Sequence, residues 1–237
     1  MKLKSWTTKN RVEVIRVLEG RCNSYLVRQG DRALLVDTGR KNAWKHLSRN
    51  LDRMGLEAGG LCALILTHTH FDHAENAAAV KERYQARVVV HRSEGEFLRA
   101  GDSPLPRGTV FPTRAMMALA AKRVQPLFRY RPVNHDILVE EEYDLNPWGF
   151  NAGIIHTPGH TAGSISVIVD DEIAIAGDTL VGMLPGSVFS PFADDAGLMV
   201  ESWQKLLQTG CRVFLPAHGR PVSRELLQSQ YEKRTRG

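Results

Sequence analysis

A chain of 237 residues with 43% hydrophobic and 24% charged residues has an ordinary globular composition and can bury a large core. The sequence has no amino-terminal apolar segment typical of a signal peptide and no apolar run of ~20 residues. We therefore expect a cytoplasmic protein that has no membrane partner.

The formal net charge is +5, but the basic residues are spread through the chain among acidic ones. The exception is a terminal group that we expect to be solvated: Lys233, Arg234 and Arg236. This distribution argues against a nucleic-acid partner and favours a small-molecule substrate. An anionic small molecule would explain the net positive charge of the protein as well as a nucleic acid would. The sequence is compatible with a homo-oligomer. The three cysteines are far apart and form no CxxC pair, so neither a disulfide framework nor a zinc ribbon is indicated.

The first part of the chain is predicted to be a meander of strands followed by alternating strands and helices. Apolar patterns separated by turn residues predict strands over residues 12–18, 23–29 and 32–37, and helical spacing predicts a helix over 43–54. A continuous apolar run predicts a strand over 61–66 that is covered on both faces. A helix over 74–84 and a strand over 86–91 follow.

Five prolines interrupt the next segment, residues 93–133, and they flank a predicted amphipathic helix over 113–124. We interpret residues 93–133 as an inserted lid. Its large apolar side chains are equally consistent with simple packing and with lining a substrate pocket: Met116, Met117, Leu119 and Phe128.

A second series begins at about residue 137. The patterns predict strands over 151–156, 165–170, 172–176 and 211–216, and helices over 198–207 and 223–233. The repeated order of elements predicts two similar halves, residues 1–92 and 134–237, packed face to face in one domain of the α/β (α+β) class.

Four segments place metal-ligand side chains just past predicted strands. The first is THTHFDH, and the others are HTPGHTAGS, AIAGDTL and FLPAHGR. The candidate metal ligands in them are His68, His70, Asp72, His73, His160, Asp178 and His218. Imidazole and carboxylate groups bind zinc, iron or manganese, and seven such groups are too many for one tetrahedral ion. The sequence therefore predicts two divalent metal ions, most simply Zn²⁺, with Fe or Mn as alternatives.

The spacing of the candidate ligands in the first segment assigns them to two different ions. Alternate residues of an extended segment point the same way, so His68 and His70 can hold one ion while Asp72 and His73 turn toward a second. Glycines at positions 159, 177 and 219, each next to a candidate ligand, let the backbone turn sharply there.

These four segments, in this order, resemble the metallo-β-lactamase fold superfamily. The resemblance runs from LLVDTG at residues 34–39 to PAHGRP at residues 216–221. It implies a four-layer αβ/βα sandwich of two mixed β-sheets flanked by helices, with the metals at one edge. It also implies that His68, His70 and His160 bind one metal, that Asp72, His73 and His218 bind the other, and that Asp178 bridges them. Asp37 would accept a hydrogen bond that fixes a histidine tautomer.

The resemblance further implies the chemistry. Two metals ~3.5 to 4 Å apart share a water and hold it as a bridging hydroxide near neutral pH, and this hydroxide attacks a carbonyl group. In similar enzymes a carboxylate at the position of Asp72 orients the nucleophile and passes a proton to the leaving group, which makes Asp72 the candidate catalytic residue.

Departures from the family pattern reduce the number of candidate reactions. True metallo-β-lactamases carry Cys or Ser at the position of Asp178, so this chain resembles the glyoxalase II-like and lactonase-like hydrolases instead. Only about twenty residues follow His218, too few for the helical glutathione-binding domain of a glyoxalase II, and no tyrosine follows Asp178 at the position typical of lactonases. The resulting hypothesis is a hydrolase of an ester, thioester or lactone. The alternative is a persulfide dioxygenase with a single iron on His68, His160 and Asp178.

Overall fold

The computed structural model describes residues 3–236, and two mixed β-sheets form its centre. The first sheet has seven strands that follow one another in space as they do in the chain. They are β1 (Ser5–Thr7), β2 (Glu13–Leu18), β3 (Ser24–Gln29), β4 (Arg32–Val36), β5 (Ala63–Ile65), β6 (Arg87–His91) and β7 (Ile137–Val139). Strands β1 to β4 form an antiparallel meander, and β4 to β7 run parallel.

The second sheet has six strands in the spatial order β13-β12-β11-β10-β9-β8. They are β8 (Glu142–Asp144), β9 (Ala152–His156), β10 (Ile165–Val169), β11 (Ile173–Gly177), β12 (Val213–Pro216) and β13 (Val222–Ser223). Strands β11 and β12 are parallel, and every other neighbouring pair is antiparallel. Strands β9, β11 and β12 therefore all run in one direction and end at the same edge of the sheet.

Seven α-helices accompany the sheets within residues 3–236. They are α1 (Trp44–Arg53), α2 (Phe71–Ala74), α3 (Ala77–Tyr84), α4 (Gly95–Ala100), α5 (Phe111–Val124), α6 (Ala196–Gln208) and α7 (Arg224–Thr235). None of the described helices is long and apolar enough to cross a membrane.

Three hydrophobic layers hold these elements together. The first sheet packs on α1 and α3 through residues such as Leu35 and Leu47, and the two sheets pack on each other through residues such as Val36 and Ile175. The second sheet packs on α6 and α7 through residues such as Trp203. The order helices, sheet, sheet, helices is the predicted four-layer αβ/βα sandwich.

Strand β5 shows how the sequence produces these layers. Successive side chains of a strand point to opposite faces. Leu64 and Leu66 accordingly lie in the core against the helices, while Ala63 and Ile65 lie in the core between the sheets. The predicted strand covered on both faces is thus confirmed, and its end carries the first group of candidate ligands.

Two details differ from the sequence prediction. The boundary predicted at residue 134 would put β7 in the carboxyl-terminal half, but β7 pairs in parallel with β6 and completes the first sheet. The second sheet begins only at β8. The predicted lid, residues 93–133, is therefore part of the crossover between two parallel strands of the first sheet. The helix predicted over 74–84 is also interrupted, since α2 ends before α3 begins.

Candidate metal centre

The seven candidate ligands meet at one edge of the two sheets. His68, His70, Asp72 and His73 follow β5, and the other three follow β9, β11 and β12. The ends of β9, β11 and β12 lie at the same edge, so the loops that carry His160, Asp178 and His218 are brought together. In this structure all seven side chains converge, as the sequence predicts.

The first group consists of His68, His70 and His160. Nδ1 of His70 lies 2.9 Å from Nε2 of His68 and 3.0 Å from Nε2 of His160. All three side chains are buried, and one nitrogen of each lies within 4.8 Å of the other two. Nitrogens bound to a tetrahedral zinc ion lie about 3.3 Å apart, because zinc–nitrogen bonds are ~2.0–2.1 Å long. The three rings are thus close to the arrangement that a metal ion requires.

The second group consists of Asp72, His73 and His218, which also offer one ligand atom each within 4.8 Å of one another. Nε2 of His218 lies 3.4 Å from Oδ2 of Asp72, and Nε2 of His73 lies 4.0 Å from Oδ1 of Asp72. This group differs from the first in having a carboxylate, and Asp72 and His218 are only half-buried.

Asp178 lies between the two groups. Its Oδ2 is 3.5 Å from Nε2 of His160 and 3.2 Å from Nε2 of His218, and its Oδ1 is 3.7 Å from Nε2 of His73. One carboxylate therefore reaches a member of each group, which is the position needed to bridge two cations.

Two buried atoms test whether metal ions fit the site. Nε2 of His73 and Oδ1 of Asp178 are buried without a hydrogen-bond partner among the described residues. A buried polar atom without a partner costs roughly 1–3 kcal/mol, so such atoms are uncommon unless a ligand satisfies them. The two atoms lie 3.7 Å apart, and a cation held between them would satisfy both.

The electrostatics of the first group also suit a cation. Burial and the neighbouring imidazoles hold the pKa of His68 and of His70 well below the usual value, so both rings are neutral. Burial would raise the pKa of Asp178, but His218 and His73 hold it well below its usual value, so this carboxyl group is ionised. Neutral imidazole and ionised carboxylate are the forms that bind metals.

The ring of His73 is oriented by Asp37, as predicted. Oδ2 of Asp37 lies 2.9 Å from Nδ1 of His73, so a proton on Nδ1 leaves Nε2 free to face the site. Asp37 is itself held by Thr67, whose backbone N–H and hydroxyl both donate to its carboxylate at 2.8 Å. A similar contact orients His160, whose Nδ1 donates to the carbonyl of Phe192 at 2.9 Å.

Two glycines next to ligands are required by close packing. Gly159 has φ +124°, and a Cβ there would lie 2.2 Å from the backbone nitrogen of Met199. Gly177 has φ +52°, and a Cβ there would lie 2.6 Å from Oγ1 of Thr67. Any side chain at either position would displace the loop that carries His160 or Asp178.

Lid residues that the sequence did not single out hold the first ligand loop in place. Glu94 is buried, and its Oε2 accepts hydrogen bonds from the backbone N–H of Thr69, at 2.9 Å, and from its hydroxyl. The hydroxyl of Tyr130 donates to the carbonyl of Thr69 at 3.1 Å. The nearest sequence signal is a charged residue, Glu94, close to an apolar strand end, and it does not reveal the partner.

A cavity of about 280 Å³ opens onto the ligands. Its metal-facing side includes His70, Asp72, His160, Asp178 and His218. The rest of its wall is largely apolar: Phe71, Pro106, Met116, Met117, Phe128, Val181, Met183, Pro191 and Phe192, with Ser190 as a polar member. Three of the four apolar lid residues considered from the sequence thus line the cavity, whereas Leu119 is 85% exposed and does not.

The same fold and motifs occur in known proteins. The family model described as the metallo-beta-lactamase superfamily matches residues 17–218. A protein of Methanocaldococcus jannaschii described as a probable metallo-hydrolase is 31% identical over 158 residues, 67% of this chain and 66% of that protein. One with the same description from Bacillus subtilis is 29% identical over 159 residues, 67% of this chain and 65% of that protein. The matched region thus spans just under two thirds of the length of either relative.

Two solved structures show the same fold over most of the chain. An archaeal metallo-β-lactamase superfamily protein from Sulfolobus tokodaii has a TM-score of 0.64 and 23% identity, and the match covers 98% of this chain and 85% of that one. A metallo-β-lactamase of Cronobacter sakazakii has a TM-score of 0.63 and 20% identity, over 94% of this chain and 81% of that one. These similarities concern the arrangement of the layers.

Proposed function

The chain belongs to the metallo-β-lactamase superfamily, and on that premise we propose that it is a dinuclear metal-dependent hydrolase of an ester, thioester or lactone of a small molecule. The observation that carries the proposal is the pair of buried, unpartnered atoms on His73 and Asp178. His73 belongs to the second group and Asp178 lies between the two groups, so these atoms support an ion in addition to one held by His68, His70 and His160. Zinc is the metal that this set of imidazoles and carboxylates suits best.

Two divalent cations held here would acidify a water molecule and polarise a carbonyl oxygen. The side chains around them determine where the reaction takes place. Asp178 lies between the two groups of ligands, and Asp37 and the carbonyl of Phe192 fix the tautomers of His73 and His160. These contacts orient the rings before substrate enters, which reduces the reorganisation required during the reaction.

Asp72 is the side chain placed to move a proton. It lines the cavity, and its Oδ2 lies 3.4 Å from Nε2 of His218. The carboxylate can take a proton from the attacking water while the water oxygen bonds to the acyl carbon. The bond from that carbon to the leaving oxygen or sulfur then breaks with its electron pair. The proton passes from Asp72 to the leaving group, so the products are a carboxylic acid and an alcohol or thiol.

The apolar wall of the cavity supports an uncharged acyl group as the part of the substrate that enters it. Among the described residues that line it, none is a lysine or an arginine. Burial of apolar surface contributes about 25 cal/mol per Å², so each methylene of the acyl chain would add to binding. The carboxylate at Asp178 supports the glyoxalase II-like and lactonase-like type of hydrolase rather than β-lactam cleavage.

The test combines metal analysis with a substrate panel. The purified protein is expected to hold two zinc ions per chain and to hydrolyse some members of a panel of apolar esters, thioesters and lactones. His70→Ala should abolish turnover, whereas His46→Ala, at an exposed position of α1, should not change it. A single iron per chain, with oxygen uptake on persulfides, would instead identify the dioxygenase, and turnover retained in His70→Ala would contradict the dinuclear hydrolase.

A further inference from the structure

The lid is positively charged, but none of its basic residues that the structure describes lines the metal cavity. From Ser103 to His135 the sequence contains six basic residues and no acidic one. Two of them form ion pairs at the base of the lid, Arg131 with Glu82 at 2.8 Å and Arg129 with Asp102 at 3.9 Å. Arg107 and Arg114, in contrast, line a second cavity of about 530 Å³.

The second cavity lies directly beside the metal cavity. Pro106 and Met117 line both, so together they form part of the wall that separates the two spaces. The segment from Pro191 to Asp194 also contributes to both cavities. Pro191 and Phe192 line the metal cavity, and the next two residues, Ala193 and Asp194, line the second one.

Backbone hydrogen bonds fix Arg107 relative to the metal ligands. The backbone N–H of Ala193 donates to the carbonyl of Arg107 at 2.8 Å, and Gly108 forms a β-bridge with Phe192. The carbonyl of Phe192 in turn holds Nδ1 of His160. Arg107 is thus attached to the loop that orients His160 of the first ligand group. Its side chain lines the second cavity.

Arg114 is positioned from the helix α5. Its Nε donates to the carbonyl of Gly108 at 3.2 Å, and among the described residues its two terminal nitrogens have no hydrogen-bond partner. The planar guanidinium group matches the oxygens of a phosphate or carboxylate better than an ammonium group does. The cavity also contains the carboxyl group of Asp194, an exposed residue. Two guanidinium groups outweigh this one carboxyl, so the cavity favours an anion.

We propose that the substrate has two parts: an apolar acyl group that enters the metal cavity, and a leaving half whose phosphate is bound by Arg107 and Arg114. This inference rests on the proposed hydrolase and adds the class of substrate to it. The metal cavity binds the acyl carbon at the point of attack, and the adjoining cavity binds the anion across Met117. A soluble thioester or ester of a phosphate-bearing alcohol or thiol has this composition.

The experiment compares substrates that differ only in the leaving half. Butanoyl thioesters of N-acetylcysteamine, of 4′-phosphopantetheine and of coenzyme A carry the same acyl group with no phosphate, one phosphate and three phosphates. We expect kcat/KM to be about ten-fold or more higher for the phosphate-bearing thioesters, since charge-assisted hydrogen bonds are among the stronger ones. In the variant Arg107→Gln/Arg114→Gln the ratio between the substrates should fall toward one. The matched control is Arg123→Gln, an exposed position of α5 that lines neither cavity, and it should keep the ratio.

A binding measurement gives a readout that does not depend on turnover. Titration calorimetry of the metal-loaded protein with adenosine 3′,5′-bisphosphate should show binding that Arg107→Gln/Arg114→Gln removes and Arg123→Gln retains. Absence of hydrolysis of all three thioesters would count against the hydrolase, whereas hydrolysis of all three at equal rates would overturn only the phosphate site. Binding to vesicles of phosphatidylcholine and phosphatidylserine, without preference among the soluble thioesters, would assign the two arginines to a lipid surface and overturn the proposal.

Discussion

The ring of Phe128 in the lid stacks on the ring of Phe71, with the ring centroids 4.4 Å apart and the planes 3° from parallel. Phe71 stands between His70 and Asp72 in the sequence, so the lid is joined directly to the loop that carries four of the seven candidate ligands. Both rings also line the metal cavity. The lid therefore forms part of the wall of the metal cavity, and changes in it should affect substrate binding more than the metal site.

Phe128→Ala should raise KM for apolar acyl substrates about three- to ten-fold. Stacked aromatic pairs contribute roughly 0.5–1.5 kcal/mol beyond the area they bury, and the substitution also removes part of the cavity wall. Steady-state kinetics on the preferred substrate would measure this, with metal content as a second readout that should not change. Leu119→Ala is the matched control, because Leu119 belongs to the same lid and is 85% exposed. An equal rise in KM in both variants would contradict the assigned role of Phe128.

The sequence predicted the layers and the convergence of the candidate ligands because both depend on local patterns. A buried strand such as β5 is marked by a continuous apolar run, and each candidate ligand follows such a run within a few residues. His68, His160, Asp178 and His218 could therefore be placed at strand ends without knowing how the strands pair. The meeting of His160, Asp178 and His218 at one edge follows from the common direction of β9, β11 and β12.

The rest depends on contacts between distant parts of the chain. Tyr130 reaches Thr69 across 61 positions, and Glu94 reaches the same residue across 25. Neither contact leaves a periodic pattern in the sequence. Strand β7 presents a related difficulty, since three apolar residues, Ile137–Val139, do not indicate which sheet they will join. Its pairing with β6 is decided by the path of the lid, which no local pattern describes.

Asp37→Asn should weaken the second metal about 10- to 100-fold, the usual effect of losing a hydrogen-bond partner of a ligand histidine. The substitution keeps the shape of the side chain, and asparagine tolerates the left-handed backbone at this position, φ +58°. It replaces one carboxylate oxygen with an amide group, so the contact with Nδ1 of His73 loses its charge. Competition with a chelator would measure the change in affinity.

The control for this variant is Asp171→Asn. Asp171 has a similar backbone conformation, φ +54°, and is exposed outside the metal cavity. It should keep both metals with unchanged affinity. If Asp37→Asn also kept both, the contact between Asp37 and His73 would have no role in holding the metal.

Asp72→Asn should lower kcat about 10²- to 10⁴-fold, the range typical of losing a general acid–base group. The amide keeps an oxygen that can face a cation but cannot carry the proton. The midpoint of thermal unfolding should stay close to that of the parent protein. Asp72 is partly exposed in the cavity and is not part of a hydrophobic core cluster. Glu75→Gln, three residues further along the chain and outside the cavity, should retain full turnover. Unchanged kcat in Asp72→Asn would move the proton-transfer role to another group.

Acidification should remove the two metals at different pH values, the second one first. Burial lowers the pKa of His73, but Cys22, Asp37 and Asp178 together raise that pKa well above its usual value. Burial likewise lowers the pKa of His218, and Asp178 raises it above the usual value. A metal must displace the protons that these two rings bind, so its affinity for the second group falls as pH falls through their raised pKa values.

The first group behaves in the opposite way, because the pKa values of His68 and His70 are well below ~6.5, the usual value for histidine. These rings stay neutral at a pH where His73 and His218 are protonated. We therefore expect two metals per chain at pH 8 and one per chain near about pH 6, with hydrolysis lost together with the second metal. Elemental analysis after dialysis at each pH would measure the metals, and circular dichroism would show that the fold persists. Loss of both metals in a single step, or loss from the first group before the second, would contradict the different environments of the two groups.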